Sequence, residues 1–371
     1  MPGFPAVWLR HNCPCPDCRD PVTGQRLVAI SDIPIDVVAA VTDADDGSIE
    51  VVFTPDGHRA VFGRGWLAAH ALPDDGSSLD GSAGNPDPRT EDGKRLWRAA
   101  DLDVAGLPGA GWPDYVVDDA VRERCLDAVA RLGFALLRGV PAEPGMVTRV
   151  AETFGFVRET NYGRLFDVRV VADPANLAFT SLQIPPHTDN PYRDPVPTLQ
   201  LLHCLRDAAV GGETGLVDGF AAASAMRAED PWSFRLLTTT AWPFAYADKE
   251  TELRSVQPLI SLTPAGRIAG VRLNNRSMEP LRCPPREAEA AYAAYRRWDA
   301  LLARPEFRLT FRLTPGDCLI FDNTRILHAR TAFRAAGPSA PSAGGERHLQ
   351  GCYADIDGLL STLAVLRRAC R

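Results

Sequence analysis

The chain has 371 residues, with 40 Lys and Arg against 47 Asp and Glu for a net charge of −7. At roughly 150 residues per domain, this length allows two or three domains. A mildly acidic chain with no basic block is a poor candidate for nucleic acid, whose affinity comes from Lys and Arg neutralising phosphates. No apolar run approaches the ~18 residues of a membrane span, and the opening MPGFPAVWLRHNC has no basic-then-apolar leader pattern. Nine cysteines is an odd count, and a chain this long can build a core without disulfides. The expectation is a cytoplasmic protein with free thiols, some of them on a metal.

The first unit, residues 1–73, reads as short strands at Leu27–Ile30, Asp36–Val41 and Ile49–Phe53, rich in strand formers and separated by turn residues. Residues 74–95 hold Gly, Ser, Asp and Pro with almost nothing apolar, which is linker composition. The body, 96–371, opens on a helix capped by Asp118 or Asp119 and stopped by Gly133. A buried strand (134–138) and a second helix (143–154) follow. Then short strands dominate: 166–172, 198–205, 215–217, 307–313, 318–321 and 348–354, interrupted by a helix over 286–302. Many short strands with a few helices predict a mostly β protein with flanking helices: a double-sheet jelly roll plus a small N-terminal β domain.

Two clusters carry chemistry. Cys13, Cys15 and Cys18 place three thiols within six residues, bounded by prolines. A closed Cys₃His zinc site needs one more ligand, with His58 the first candidate and His70 the second. Such a site has no open position, so its role is structural; it would steady a small domain with a thin core. In the body, His187 and Asp189 are two apart, a spacing that on a strand points both to one face. Alone, this pair also occurs in surface turns. His328, following the apolar strand 318–321, adds a second imidazole. Two His and one carboxylate with open positions form the facial triad of non-haem Fe(II) oxygenases. Arg347, facing inward from a strand-like stretch, could grip a dicarboxylate in a bidentate fork. His11, His70 and His348 read as structural or surface residues, and His203 as a core histidine with satisfied nitrogens.

The series His187-x-Asp189, Gly211-Gly-Glu-Thr214, His328 and Arg347 resembles the Fe(II)/2-oxoglutarate-dependent taurine dioxygenase superfamily. The stretches Leu201-Leu-His-Cys-Leu, Val217-Asp-Gly-Phe and Gly351-Cys-Tyr-Ala-Asp-Ile-Asp resemble its γ-butyrobetaine hydroxylase branch, whose N-terminal zinc domain has the same cysteine spacing and a Pro-Asp-x-His context like that of His58. The resemblance implies a double-stranded β-helix holding Fe(II) on His187, Asp189 and His328. It implies 2-oxoglutarate on Arg347 with help from Thr214, O₂ as co-substrate and structural Zn(II). It further implies a small quaternary ammonium substrate, hydroxylated while 2-oxoglutarate becomes succinate and CO₂. Family members are commonly dimers, so a homodimer is implied too, although no residue shows it.

Tyr162, Phe166 and Phe179 match the branch's aromatic cage for a trimethylammonium group, held by cation–π attraction because it has no hydrogen to donate. Singly, each could equally be core. Asn190 stands where animal members have Tyr, and Tyr192 could replace that ring. Asn176 and the pair Asn274-Asn275 match the region receiving the substrate's anion, and Arg276 follows directly. A phosphonate, with three acceptor oxygens and more than one charge, favours an Arg fork. The stretches 187–194 and 274–277 look more like those of 2-trimethylaminoethylphosphonate dioxygenases. The implied product is then the 1-hydroxy phosphonate; the alternative is carnitine from γ-butyrobetaine. Arg276 also admits a surface ion pair.

Overall fold

The computed structural model describes residues 4–44, 46–71, 87–170, 180–207, 209–335 and 347–369. The chain divides into two compact units, Met1–Pro86 and Asp87–Arg371.

In the first unit, strands Val38–Asp43, Ile49–Thr54 and Arg59–Phe62 form an antiparallel meander. Ile49, Val51 and Phe53 alternate with more exposed residues along the central strand, so one face is buried. Helices Ala6–His11 and Arg64–Ala69 cover that face through Leu9 and Leu67, joined by Ala60 and Phe62. The strand expected at Leu27–Ile30 is not formed. Leu27 N–H donates to the Cys18 carbonyl, and Leu27 and Ile30 stay exposed. β-Forming residues gain nothing from an extended run that has no ladder partner.

The second unit is a two-sheet barrel. The larger sheet orders Gly109–Gly111, Phe134–Arg138, Cys318–Asp322, Leu199–Arg206, His348–Ala354 and Val157–Arg158, with Phe166–Arg169 also paired to His348–Ala354. The smaller orders Arg308–Phe311, Thr214–Asp218, Ile326–Arg330 and Ile184–His187. Their facing sides share one core, in which Phe134, Leu319 and Phe321 meet Leu216, Leu309 and Ile326. The alternate residues Cys318, Ile320, Leu199, Leu201, Cys352 and Ala354 face outward. There they bury under helices Asp119–Leu132, Met146–Glu152 and Ile356–Ala369. A sheet buried on both faces reads as a continuous apolar run, which is why Cys318-Leu-Ile-Phe and Phe134-Ala-Leu-Leu stand out in the sequence. A third apolar cluster gathers helices Gly219–Glu229, Pro231–Thr239 and Pro285–Leu302 around Trp242, Phe244 and Trp298.

The Asp119–Leu132 helix begins where Asp118 accepts from Ala120 and Val121 N–H, and it ends at Gly133 in the left-handed region, φ 89°. The next helix is shorter than expected because Gly145, φ 88°, precedes its first turn. Residues 87–95, read as the end of a linker, belong to this unit. Glu91 accepts from Arg227 and from Ile268 N–H, and Lys94 makes a buried ion pair with Asp322, 3.2 Å. Composition cannot show partners that lie more than a hundred residues away.

Candidate active site

Both histidines of the body cluster sit on the smaller sheet. His187 ends the Ile184–His187 strand, and the register sets it directly opposite His328, with ring centroids 4.0 Å apart. Asp189 is not on the strand, contrary to the simple i, i+2 reading; it lies in a bend beyond it. That bend is held from outside. Asn323 accepts from Asp189 N–H at 2.8 Å and donates to its carbonyl at 3.0 Å. Thr188 is locked to Leu273 through backbone and hydroxyl. Asp189 Oδ1 then comes within 3.4 Å of His187 Nε2, and ligand atoms from His187, Asp189 and His328 all lie within 4.8 Å of one another.

These residues fit a divalent ion. His187 Nδ1 faces the Pro185 carbonyl at 2.9 Å, which makes Nδ1 the protonated nitrogen and leaves the Nε2 lone pair for a metal. Burial, then the neighbouring His187, pulls His328 down to about 3, so its imidazole is neutral. Burial alone would raise Asp189. The neighbouring His187 and His328 and the charge of Arg276 outweigh it and hold the carboxylate well below its usual range. Two imidazole nitrogens and one ionised carboxylate are the donors an open Fe(II) site requires.

The three line a cavity of about 580 Å³, a size suited to small ligands. Thr214 and Arg347 are on its wall, as expected from sequence. Arg347 is buried and has no hydrogen bond or ion pair among the described residues; its guanidinium lies over the Phe333 ring at 5.6 Å. Burial lowers its pKa. A buried cation with no ion-paired acid among the described residues suits an incoming carboxylate. Arg330, which sequence reasoning missed, also lines the cavity and donates to the carbonyls of Thr180 and Leu182. Burial and the charges of Arg347 and Arg276 bring it down to about 10.

An aromatic wall forms another side. Tyr162 and Tyr192 share a hydroxyl–hydroxyl bond of 2.8 Å, and Phe166 stands 6.2 Å from Tyr162. Tyr246 completes the group, stacked on Tyr192 at 5.1 Å and edge-on to Tyr162 at 5.8 Å. Tyr246 was not foreseen, since nothing local marks a tyrosine in a hairpin as facing the cavity. Tyr353, also unforeseen, packs 5.0 Å from Phe166 and donates to Asp189 Oδ2. Asn190, Asn274, Arg276 and Ser277 lie on the same cavity. Asn190 takes a left-handed φ of 55°, is buried, and has neither amide atom hydrogen-bonded among the described residues. Asn275, expected in the anion region, is exposed and not on the cavity wall. The short 3₁₀ turn Asn275–Ser277 sets Asn275 outward, while Asn274 Oδ1 accepts from Arg276 N–H and caps the turn. Asn176 and Phe179 lie outside the described residues. His203 is a buried core histidine, and burial lowers its pKa.

In the first unit, Cys13, Cys15 and Cys18 gather around His58 Nε2, with S···N distances of 3.2, 3.5 and 3.5 Å. Tetrahedral zinc with its usual bond lengths puts such atoms about 3.6 Å apart. Burial pushes the Cys13 thiol up to about 12, and a cation at the centre is what would favour its thiolate. His70 is elsewhere, stacked on Trp66 at 4.1 Å. This cluster could hold Zn(II) as a closed site.

A barrel with two histidines and one carboxylate on a cavity that a buried arginine also lines defines an Fe(II)/2-oxoglutarate oxygenase. The family model for the taurine catabolism dioxygenase TauD, TfdA family matches residues 99–353, and that for the γ-butyrobetaine hydroxylase-like N-terminal domain matches residues 3–67. The chain is 40% identical over 366 residues to a γ-butyrobetaine dioxygenase of Pseudomonas sp. strain AK-1, covering 98% of this chain and 91% of that one. It is 30% identical to the human γ-butyrobetaine dioxygenase, covering 98% and 91%, and 29% identical to a trimethyllysine dioxygenase of Meyerozyma guilliermondii, covering 98% and 90%. The chain belongs to the TauD, TfdA family and is a 2-oxoglutarate-dependent dioxygenase. Among the described residues, no helix is long and apolar enough to cross a membrane.

Proposed function

We propose that the enzyme hydroxylates a small zwitterion with a trimethylammonium group at one end and an anion at the other. The observation that carries this is the aromatic wall of Tyr162, Phe166, Tyr192 and Tyr246 on the same cavity as His187, Asp189 and His328. Three phenol rings and a phenyl offer π faces to a cation that cannot donate hydrogen bonds. Burial keeps the phenols of Tyr162, Tyr192 and Tyr246 protonated. In this reading His187, Asp189 and His328 would hold Fe(II), which supplies the O₂ chemistry that couples 2-oxoglutarate decarboxylation to C–H hydroxylation. Arg347 holds the far carboxylate of 2-oxoglutarate, with Thr214 beside it. The wall and the anion site between them aim one carbon at the metal, which is the protein's main contribution.

For the anion, the reading is a phosphonate, with 2-trimethylaminoethylphosphonate as substrate and its 1-hydroxy derivative as product. Arg276 supports it. It lines the same cavity as Asp189 and His328, and its charge acts on both. Hydroxylation of the carbon next to phosphorus requires the anion to sit within that cavity, near the metal ligands. The second reading, γ-butyrobetaine converted to carnitine, is favoured by the 40% identity to a γ-butyrobetaine dioxygenase. Succinate release with Fe(II), 2-oxoglutarate and O₂, with each substrate offered in parallel, tests both. Turnover with the phosphonate supports the first, turnover with γ-butyrobetaine alone replaces it by the second, and turnover with neither rejects both.

A further inference from the structure

Asp189 Oδ2, the oxygen that does not face His187, accepts two hydrogen bonds. Tyr353 Oη donates at 2.9 Å and Gln200 Nε2 at 2.8 Å. Both donors are nearly fully buried, from adjacent strands of the larger sheet, His348–Ala354 and Leu199–Arg206. The register pairs Tyr353 directly with Gln200. Asp189 itself belongs to the bend after the smaller sheet, so the two sheets meet at this carboxylate. Among the described residues Gln200 Oε1 has no partner, so the amide's polar commitment there is its bond to Asp189.

We propose that Tyr353 and Gln200 are positioning residues that force Asp189 to ligate iron through Oδ1 alone. This rests on the iron-site reading above. Two imidazole nitrogens and one carboxylate oxygen fill half of an octahedral ion, and a 2-oxoglutarate chelate takes two more positions, leaving one open. If Asp189 ligated through both oxygens, the chelate would close the last position and the oxidant would have nowhere to bind. A free carboxylate can rotate into that bidentate state. A carboxylate whose second oxygen is engaged by two fixed donors must break both bonds to do so, and each charge-assisted bond resists. Because the Tyr353 ring also packs against Phe166 on the cavity wall, the same side chain ties the aromatic wall to the metal ligand.

The test uses the full chain with Tyr353→Phe, Gln200→Met and the double variant, changes that keep ring and volume. Circular dichroism checks folding, and the single variants remain informative should the double variant fail. Mn(II), a hard ion that thiolate sites take up poorly, is titrated by EPR. Anaerobic Fe(II) enzyme with 2-oxoglutarate is then exposed to nitric oxide, a stand-in for O₂, and the Fe–NO EPR signal is read. The expected result is that the double variant still binds Mn(II) but loses most of the NO signal once 2-oxoglutarate is present. NO uptake equal to wild type overturns the proposal, whatever happens to affinity. A His187→Ala control separates the two readings. If that variant binds Mn(II) as tightly as wild type, the iron-site reading fails instead.

Discussion

Replacing Tyr246 by Leu isolates one face of the aromatic wall. The ring stacks on Tyr192 at 5.1 Å and meets Tyr162 at 5.8 Å, so it borders the same volume as both. Its hydroxyl donates to Asp248 in an exposed position, a bond whose loss costs the fold little. A desolvated cation over an aromatic face is worth about 2 kcal/mol, or roughly 30-fold in affinity. The loss of buried area affects cationic and neutral ligands alike, so a ratio removes it. The assay compares the trimethylammonium substrate with the neutral isostere in which a quaternary carbon replaces nitrogen. Competition by each against succinate release gives both affinities. The expected outcome is a cation-to-neutral preference reduced about 30-fold in Tyr246→Leu. Equal losses for the two ligands, or a change in kcat alone, would refute the cage.

Arg347→Met removes the buried guanidinium and a pair of charge-assisted hydrogen bonds, so KM for 2-oxoglutarate is expected to rise about 100-fold. Arg347→Lys should recover part of that loss. A rise below about threefold would show that another group holds the co-substrate. Arg325 donates to both oxygens of Asp218 and to the carbonyls of Arg131 and Arg95, with both charged side chains at 0% exposure. Breaking such a buried pair costs about 3–5 kcal/mol, so calorimetry of Arg325→Met should show Tm lower by roughly 6–20 °C. An unchanged Tm would mean that the Asp218 charge finds another partner. Finally, chelation should abolish succinate release and added Fe(II), but not Zn²⁺, should restore it. Cys15→Ser should lose one zinc per chain in metal analysis while the body keeps its own melting transition. Restoration by Zn²⁺, or zinc content unchanged in the variant, would contradict the two-metal assignment.

The sequence by itself determined the fold class, the metal-type donors and the family. Buried strands such as Cys318–Asp322 show as apolar runs because both faces are covered. Asp118 and Gly133 mark a helix because capping chemistry is local. Cys13, Cys15 and Cys18 declare themselves because no core needs three thiols so close together. Only the tertiary structure decided what surrounds these groups. Tyr246 and Tyr353 reach the cavity from strands far apart in sequence, and no periodicity tells a cavity-facing tyrosine from a core one. Asn275 and Arg276 are neighbours, yet a single 3₁₀ turn sends one to solvent and leaves the other on the cavity wall. Asp189 meets His187 not by strand alternation but through Asn323, contributed from more than a hundred residues away. Residue type and spacing fix which chemistry is on offer. Which atoms converge depends on hydrogen bonds and sheet register between distant segments, and those are set by the folded chain as a whole.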